Sequence, residues 1–378
     1  MSLAAKADTH RVRRRVFLAV RLAVLLALGY VAFLVVSSNS AELSGSASYL
    51  GQAKLIWILP ALACETLSYA AFMQLQRRLL AAGRLHTNVV PMAAITMAGN
   101  AMNNSLPGGG AFATVFAYRQ FRRRGADEAL TTWTIVAFTA LTSITLALIA
   151  LVGLVVAGDG GPVAGLWPFI PLLVLGPVLG VFVLLRPRIL GRVLTRPLQL
   201  VRRVTTFPRA EPVELVERMV ARLETVTPRR RDWLAGLVYS MANWLTDCAC
   251  LIFALVAVGA SIPWRGILVA YGAAQVASNL PITPGGLGVV EGSLTIALVA
   301  YGGSTEGTVA AVLLYRIMSF WAPLPIGWLS WVGLQIEARR HPMPETGIVA
   351  ELEAEEDAEE AEVQREQGYG AALGMVEP

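Results

Sequence analysis

Asn279-Leu-Pro281-Ile-Thr-Pro284-Gly-Gly-Leu-Gly288 cuts an otherwise apolar stretch, residues 266–301, into two short halves. A second apolar stretch, 88–121, is cut in the same way by Asn103-Asn-Ser-Leu-Pro107-Gly-Gly-Gly110. Each half is too short to cross a bilayer, whose hydrocarbon core takes about 20 helical residues. Proline starts a helix without wasting a donor, and glycine permits positive φ and close backbone approach. Each cluster therefore reads as a sharp turn between two half-helices. The downstream spacing also matches: Pro107 lies 18 residues before Gly125 and Pro284 lies 19 before Gly303, each pair leading into a long apolar span.

The 378-residue chain as a whole is 55% apolar and only 15% charged, against about 25% charged in soluble domains. Between residues 127 and 185 the charged side chains are Asp127, Glu128 and Asp159. Between 232 and 335 they are Asp232, Asp247, Arg265, Glu291, Glu306 and Arg316. That is too little polar surface to cover a water-soluble enzyme, and the chain reads as an all-α polytopic membrane protein. The net charge of +5 conceals a division, because residues 342–378 hold eleven acids against one base, Arg365. The remainder carries 30 basic and 15 acidic residues. Its basic runs flank apolar stretches, which points to anionic inner-leaflet lipids rather than nucleic acid. Cys64, Cys248 and Cys250 lie in apolar segments and the three histidines are scattered, so neither a metal site nor a disulfide framework follows. With no Walker loop, histidine pair or Gly-x-Ser-x-Gly elbow, no catalytic residue and no cofactor is expected, and the chain does not read as an enzyme.

Apolar spans are expected at 16–36, 54–75, 128–157, 167–185, 234–258 and 308–335. The first follows Arg11–Arg15 and is interrupted by Arg21, but it is too long for a signal-peptide core and reads as an uncleaved helix. Placing every arginine cluster on the cytoplasmic side gives one consistent path. Stretch 88–121 then begins and ends inside and stretch 266–301 begins and ends outside, with three full spans between them. An odd number of crossings inverts the second copy relative to the first. The expected architecture is about six full spans plus two inverted re-entrant helical hairpins, with both termini cytoplasmic in a bacterial inner membrane. Residues 1–15 form the cytoplasmic N-terminus, 16–341 the transmembrane domain and 342–378 an acidic disordered tail. Loop 186–231, with 12 arginines and four glutamates, is a basic cytoplasmic loop. Within it Glu211–Val226 reads as an amphipathic helix, either interfacial or a solvated connector.

Interrupted helices meeting at membrane depth leave backbone N–H groups and an uncompensated end dipole able to hold an anionic group. Such backbone persists only where it is buried in protein or lines a wet cavity. The candidate substrate-binding residues are therefore Asn104, Pro107, Gly108 and Gly109 in the first turn and Asn279, Pro284, Gly285, Gly286 and Gly288 in the second. The two asparagines are equally readable as helix caps. Ionisable residues at depth cost about 2.5–3.5 kcal/mol each and need partners or water. They are Glu65, Asp247, Glu291 and Arg316, joined by Arg119 near the end of the first hairpin. A Glu291–Arg316 pair would be a gate, a head-group clamp or a register-fixing ion pair. Glu65 and Asp247 are either hydrogen-bonded structural groups or ligand contacts, and Arg119 either binds phosphate or snorkels to the interface.

These residues carry a family resemblance. Asn279 to Gly288, Glu291, Leu314-Tyr-Arg316 and Pro323-x-Pro-x-Gly327 resemble the hallmark of the lysylphosphatidylglycerol synthase transmembrane region, a bacterial and archaeal flippase-like family. Asn104, Pro107-Gly-Gly109 and Arg119 resemble its first motif more loosely. The resemblance covers roughly residues 16–338 and implies movement of a phospholipid or lipid-linked head group between leaflets. Some members carry a soluble aminoacyl-transferase domain; here only the acidic tail follows Arg340, so synthase activity is not carried over. The alternative is a non-transporting membrane scaffold for a cell-envelope enzyme, docking through Glu351–Glu366. The partners implied are the lipid substrate and anionic inner-leaflet lipids, with a second copy or an envelope enzyme as protein partner.

Overall fold

The computed structural model describes residues 49, 51–106, 108–158, 228–278 and 283–340. The expected spans at 16–36 and 167–185, the helix at Glu211–Val226 and the tail 342–378 lie outside them, as do Pro107 and Asn279. Among the described residues the chain is all-helical. The helices are α1 (Leu55–Ala82), α2 (Val89–Ser105), α3 (Gly109–Arg123), α4 (Glu128–Ala157) and α5 (Arg230–Ala257). They continue as α6 (Ile267–Ser278), α7 (Val289–Ala300), α8 (Thr305–Arg316) and α9 (Pro323–Arg340). A π-helical turn, Ile317–Trp321, joins α8 to α9.

Leu55–Ala82, Glu128–Ala157, Arg230–Ala257 and the combined Thr305–Arg340 are long and apolar enough to cross a membrane. They coincide with four of the expected spans. α1 continues to Ala82, past the expected end at 75, because Arg77 folds back instead of ending the helix. Its Nε and Nη2 donate to Thr87 O at 3.0 and 2.8 Å, and Nη1 donates to Gln74 Oε1 at 2.7 Å. α4 begins where Asp127 caps it, Oδ1 accepting from Leu130 N–H at 2.7 Å, and ends at Gly158 in positive φ.

The distribution of side chains is that of a protein whose solvent is hydrocarbon. Leu55, Leu59 and Leu62 of α1, Val152 and Val155 of α4, Leu234 and Val238 of α5, and Ile326, Leu329 and Ile336 of α9 all point outward. Ser68, Gln76, Thr131, Thr134, Thr145, Ser240 and Asn243 are buried instead. Lipid offers apolar side chains no penalty and polar groups no partner, so polar residues turn inward and bond to each other. Ser240 and Thr145 hydroxyls lie 2.6 Å apart, Asn243 Nδ2 donates to Ser68 Oγ at 2.7 Å, and Trp244 Nε1 donates to Thr142 O at 3.1 Å. These bonds tie α5 to α4 and α1. The chain is a multi-pass helical membrane protein.

α1 packs along α5, α9 along α2, and α4 along α6. The last pair is held close by small residues. A Cβ added at Gly153 would lie 2.6 Å from Val269 N and 2.7 Å from Leu268 C, and one at Gly272 would lie 2.9 Å from Ala150 Cβ. Replacing Gly153 by Leu is expected to cost about 1–3 kcal/mol of overpacking, read as a lower thermal midpoint of the detergent-solubilised protein. An unchanged midpoint would show that α4 and α6 do not touch there.

Candidate functional site

The second Pro-Gly-Gly cluster forms a single 3₁₀ turn, Pro284–Gly286, between α6 and α7. Gly285, Gly286 and Gly288 have φ of 59, 68 and 80°. A Cβ in left-handed backbone costs about 1–2 kcal/mol, so three such positions in the four residues 285–288 call for glycine. Space is closed as well as strained. A Cβ at Gly285 would run into the Phe320 ring and lie 2.6 Å from Asn104 O. The second turn thus rests against the end of α2, beside the first turn, where Gly108 is also left-handed with φ 65°.

Glu291 and Arg316 hold this turn together. Glu291 lies in the first turn of α7, and its Oε2 accepts from the Gly288 N–H at 2.7 Å. Its Oε1 accepts from Arg316 Nε at 2.6 Å. Arg316 Nη2 donates to Gly285 O at 3.1 Å, and the guanidinium carbon stands 4.2 Å from the Phe320 ring centroid. The arginine side chain is 9% exposed and the glutamate 22%. This is a charge-assisted contact with little competing water on the arginine side. The guanidinium still carries further N–H groups beyond the two donated here.

A second node surrounds Asp247 in α5. Its Oδ2 accepts from Tyr271 OH at 2.6 Å and from Gln275 Nε2 at 3.0 Å, both on α6. Its Oδ1 accepts from Tyr315 OH at 3.0 Å. Tyr315 directly precedes Arg316, so the two nodes share a backbone. Glu65 of α1 stands beside Asp247 and Cys250, buried, with its Oε2 lacking any hydrogen-bond partner.

A third set of contacts begins at the π-helical turn. Pro323 has no N–H to donate to Ser319 O four residues back, and the Ala322 N–H instead reaches Ile317 O at 2.8 Å. The Ser319 carbonyl left over accepts from Tyr69 OH at 3.1 Å. Asn100 Nδ2 donates to Tyr69 OH at 2.7 Å, and Asn104 Nδ2 to Asn100 Oδ1 at 3.2 Å. One polar chain therefore runs from α9's breaking proline to the first turn.

All three sets contribute residues to the wall of one cavity of about 1410 Å³. Its wall includes the candidate residues Glu65, Asn104, Gly108, Gly109, Asp247, Pro284, Gly285 and Arg316. Glu291 is not in the wall and acts through Arg316; Gly286 and Gly288 are likewise outside it and shape the turn. Arg119 is exposed on α3 and is not part of the wall. Asn104 does not cap α2, which ends at Ser105 with Leu106 as its C-cap; its amide bonds to Asn100 within the helix. Sequence reasoning missed Tyr69, Asn100, Tyr271, Gln275 and Phe320. A signal was present: Asn100 and Asn104, and Tyr271 and Gln275, are polar pairs four residues apart in apolar helices, marking one inward face.

A double-mutant cycle of Glu291→Gln and Arg316→Gln, scored by thermal unfolding in detergent, should give a coupling of about 0.5–3 kcal/mol. Additive effects would show that the two side chains do not depend on each other.

The chain matches the family described as lysylphosphatidylglycerol synthase TM region over residues 18–327. It is 33% identical over 106 residues to a UPF0104 membrane protein of Methanothermobacter thermautotrophicus, covering 28% of this chain and 30% of that one. It is 28% identical over 116 residues to the inner membrane protein YbhN of Escherichia coli, covering 30% of this chain and 35% of that one. The matched part spans about a third of the length of these curated relatives. The match of residues 18–327 takes in both turns, Glu65, Asp247, Glu291 and Arg316, and the chain belongs to the lysylphosphatidylglycerol synthase TM region family of membrane proteins.

Proposed function

We propose that this protein moves a phospholipid, or a lipid-linked head group, between the leaflets of a bacterial inner membrane. The observation that carries this reading is the cavity of about 1410 Å³ into which both Pro-Gly-Gly turns and Arg316 converge. Small-molecule pockets are about 300–1,000 Å³, so the volume suits a head group with part of its acyl chains. Its lining is mixed in the way such a ligand requires. Phe72, Ile135, Phe138 and Leu146 supply an apolar wall, while Thr134, Thr139, Asn100 and Gln275 supply polar groups. Arg316, beside its Glu291 partner, offers its remaining N–H groups to a phosphate. Arg119, exposed on α3, contacts anionic inner-leaflet head groups.

In this reading the architecture is about six spans with α2–α3 and α6–α7 as inverted re-entrant hairpins, and both termini are cytoplasmic. Residues 186–231 and 342–378 then form a basic cytoplasmic loop and an acidic tail on that same side. Single cysteines at Arg124 and Arg340 should react with an impermeant thiol reagent from the cytoplasmic face, and one at Gly259 from the opposite face. Labelling of all three from one side would overturn the sidedness.

The function is tested with purified protein in liposomes and tail-labelled phospholipids of several head groups. Leaflet exchange of at least one should exceed that of protein-free vesicles, and Arg316→Gln should slow it about tenfold or more, the loss of one charge-assisted contact. No acceleration with any head group tested would sink the reading.

A further inference from the structure

The flipping reading leaves Glu65 unexplained. Its carboxyl is buried on the cavity wall, its Oε2 has no hydrogen-bond partner, and it faces a second carboxyl, Asp247. A buried acceptor with no donor is uncommon in folded proteins and asks for a missing partner. Two carboxylates side by side on a cavity wall repel, and the arrangement is relieved when one carries a proton.

The hydrogen bonds distinguish the two acids. Asp247 accepts from Tyr271 OH, Gln275 Nε2 and Tyr315 OH, the pattern that stabilises an ionised carboxylate. Glu65 has the Cys250 thiol, a weak donor, beside it and no donor at Oε2, so the proton belongs on Glu65. We propose that Glu65 and Asp247 form a proton-binding site in the cavity wall, with Glu65 as carrier, and that its occupancy acts on the second Pro-Gly-Gly turn. Glu65 takes the proton from cavity water and returns it to cavity water, so charge and atoms balance with no further reactant.

The route to the turn is short. Release of the proton sets two negative charges face to face, and the repulsion acts on α1 and α5. It reaches α6 through Tyr271 and Gln275 and α8 through Tyr315, and the next residue, Arg316, holds Gly285 O and Glu291. Other groups that face the pair shape the response. Arg316 brings positive charge toward Asp247, Cys64 and Tyr69 face it from α1, and Cys248 and Cys250 face it from α5. Arg316 is already held by Glu291, so Glu65 is left to carry the proton. On the transport reading above, lipid exchange then responds to a proton gradient.

Two measurements separate this site from that reading. Infrared difference spectra of the purified protein between acid and alkaline pH should show a protonated carboxyl band that Glu65→Gln removes. Tyr271→Phe, which withdraws one donor from the Asp247 carboxylate, should move the midpoint of that band to higher pH. An absent band, or one unchanged in Glu65→Gln, overturns the proton site whatever the lipid assay shows. The second measurement is exchange of tail-labelled phosphatidylglycerol in vesicles of phosphatidylethanolamine and phosphatidylglycerol, with and without an imposed pH gradient. The wild-type rate should change several-fold with the gradient, and in Glu65→Gln the ratio of the two rates should fall to one. Exchange indifferent to the gradient in the wild type overturns the coupling. A pH-dependent band without any exchange leaves the proton site standing and overturns the transport reading instead.

Discussion

Arg316 donates to a carboxylate on one side and to a main-chain carbonyl on the other, and so ties the second turn to the start of α7 and the end of α8. Left-handed backbone at Gly285 and Gly286 interrupts the helical bonding pattern. In a hydrocarbon environment an unpartnered carbonyl costs several kcal/mol, so some donor must be brought to it. Arg316 meets that need at Gly285 O, and Glu291 anchors the arginine while capping its own helix through Gly288. The turn, the start of α7 and the end of α8 are therefore one unit.

The same requirement recurs at the break before Pro323. Pro323 frees the Ser319 carbonyl, and Tyr69 is turned inward to serve it. Asn100 and Asn104 extend that bond toward the first turn, and Gly285 fits against Asn104 O because it has no side chain. Breaking helices in a membrane thus imports polar side chains, and the imported side chains add polar groups to an otherwise apolar cavity wall. The cavity's chemistry follows from how the breaks are satisfied.

Much of this was legible in residues that stand out against an apolar background. The four long helices follow from runs of hydrophobic residues that contain almost no charge, and α4 has the bounds, 128–157, expected of its span. The two turns follow from Pro-Gly-Gly, since few other residues adopt left-handed backbone without strain. Glu291 and Arg316 were legible as rare charges, which hydrocarbon forces into company. Asn100, Tyr69, Tyr271 and Gln275 were harder to see, because neutral polar residues are common in membrane helices and only an inward position gives them a role. Arg119 illustrates the opposite difficulty: a motif position in sequence, it lies on the exposed face of α3.

The sequence alone determined the environment and the local backbone: an all-helical membrane protein of a recognisable family, with glycine-rich breaks and a few charges at depth. These depend on composition and on neighbours along the chain, where hydropathy and φ preference act. Only the tertiary structure decided which charges meet. Arg316 joins Glu291 across 25 residues and Tyr315 joins Asp247 across 68, while Glu65 comes beside Asp247 from a separate helix. Such pairings are set by how helices cross and how closely small residues let them approach, and that geometry is not carried by any one segment.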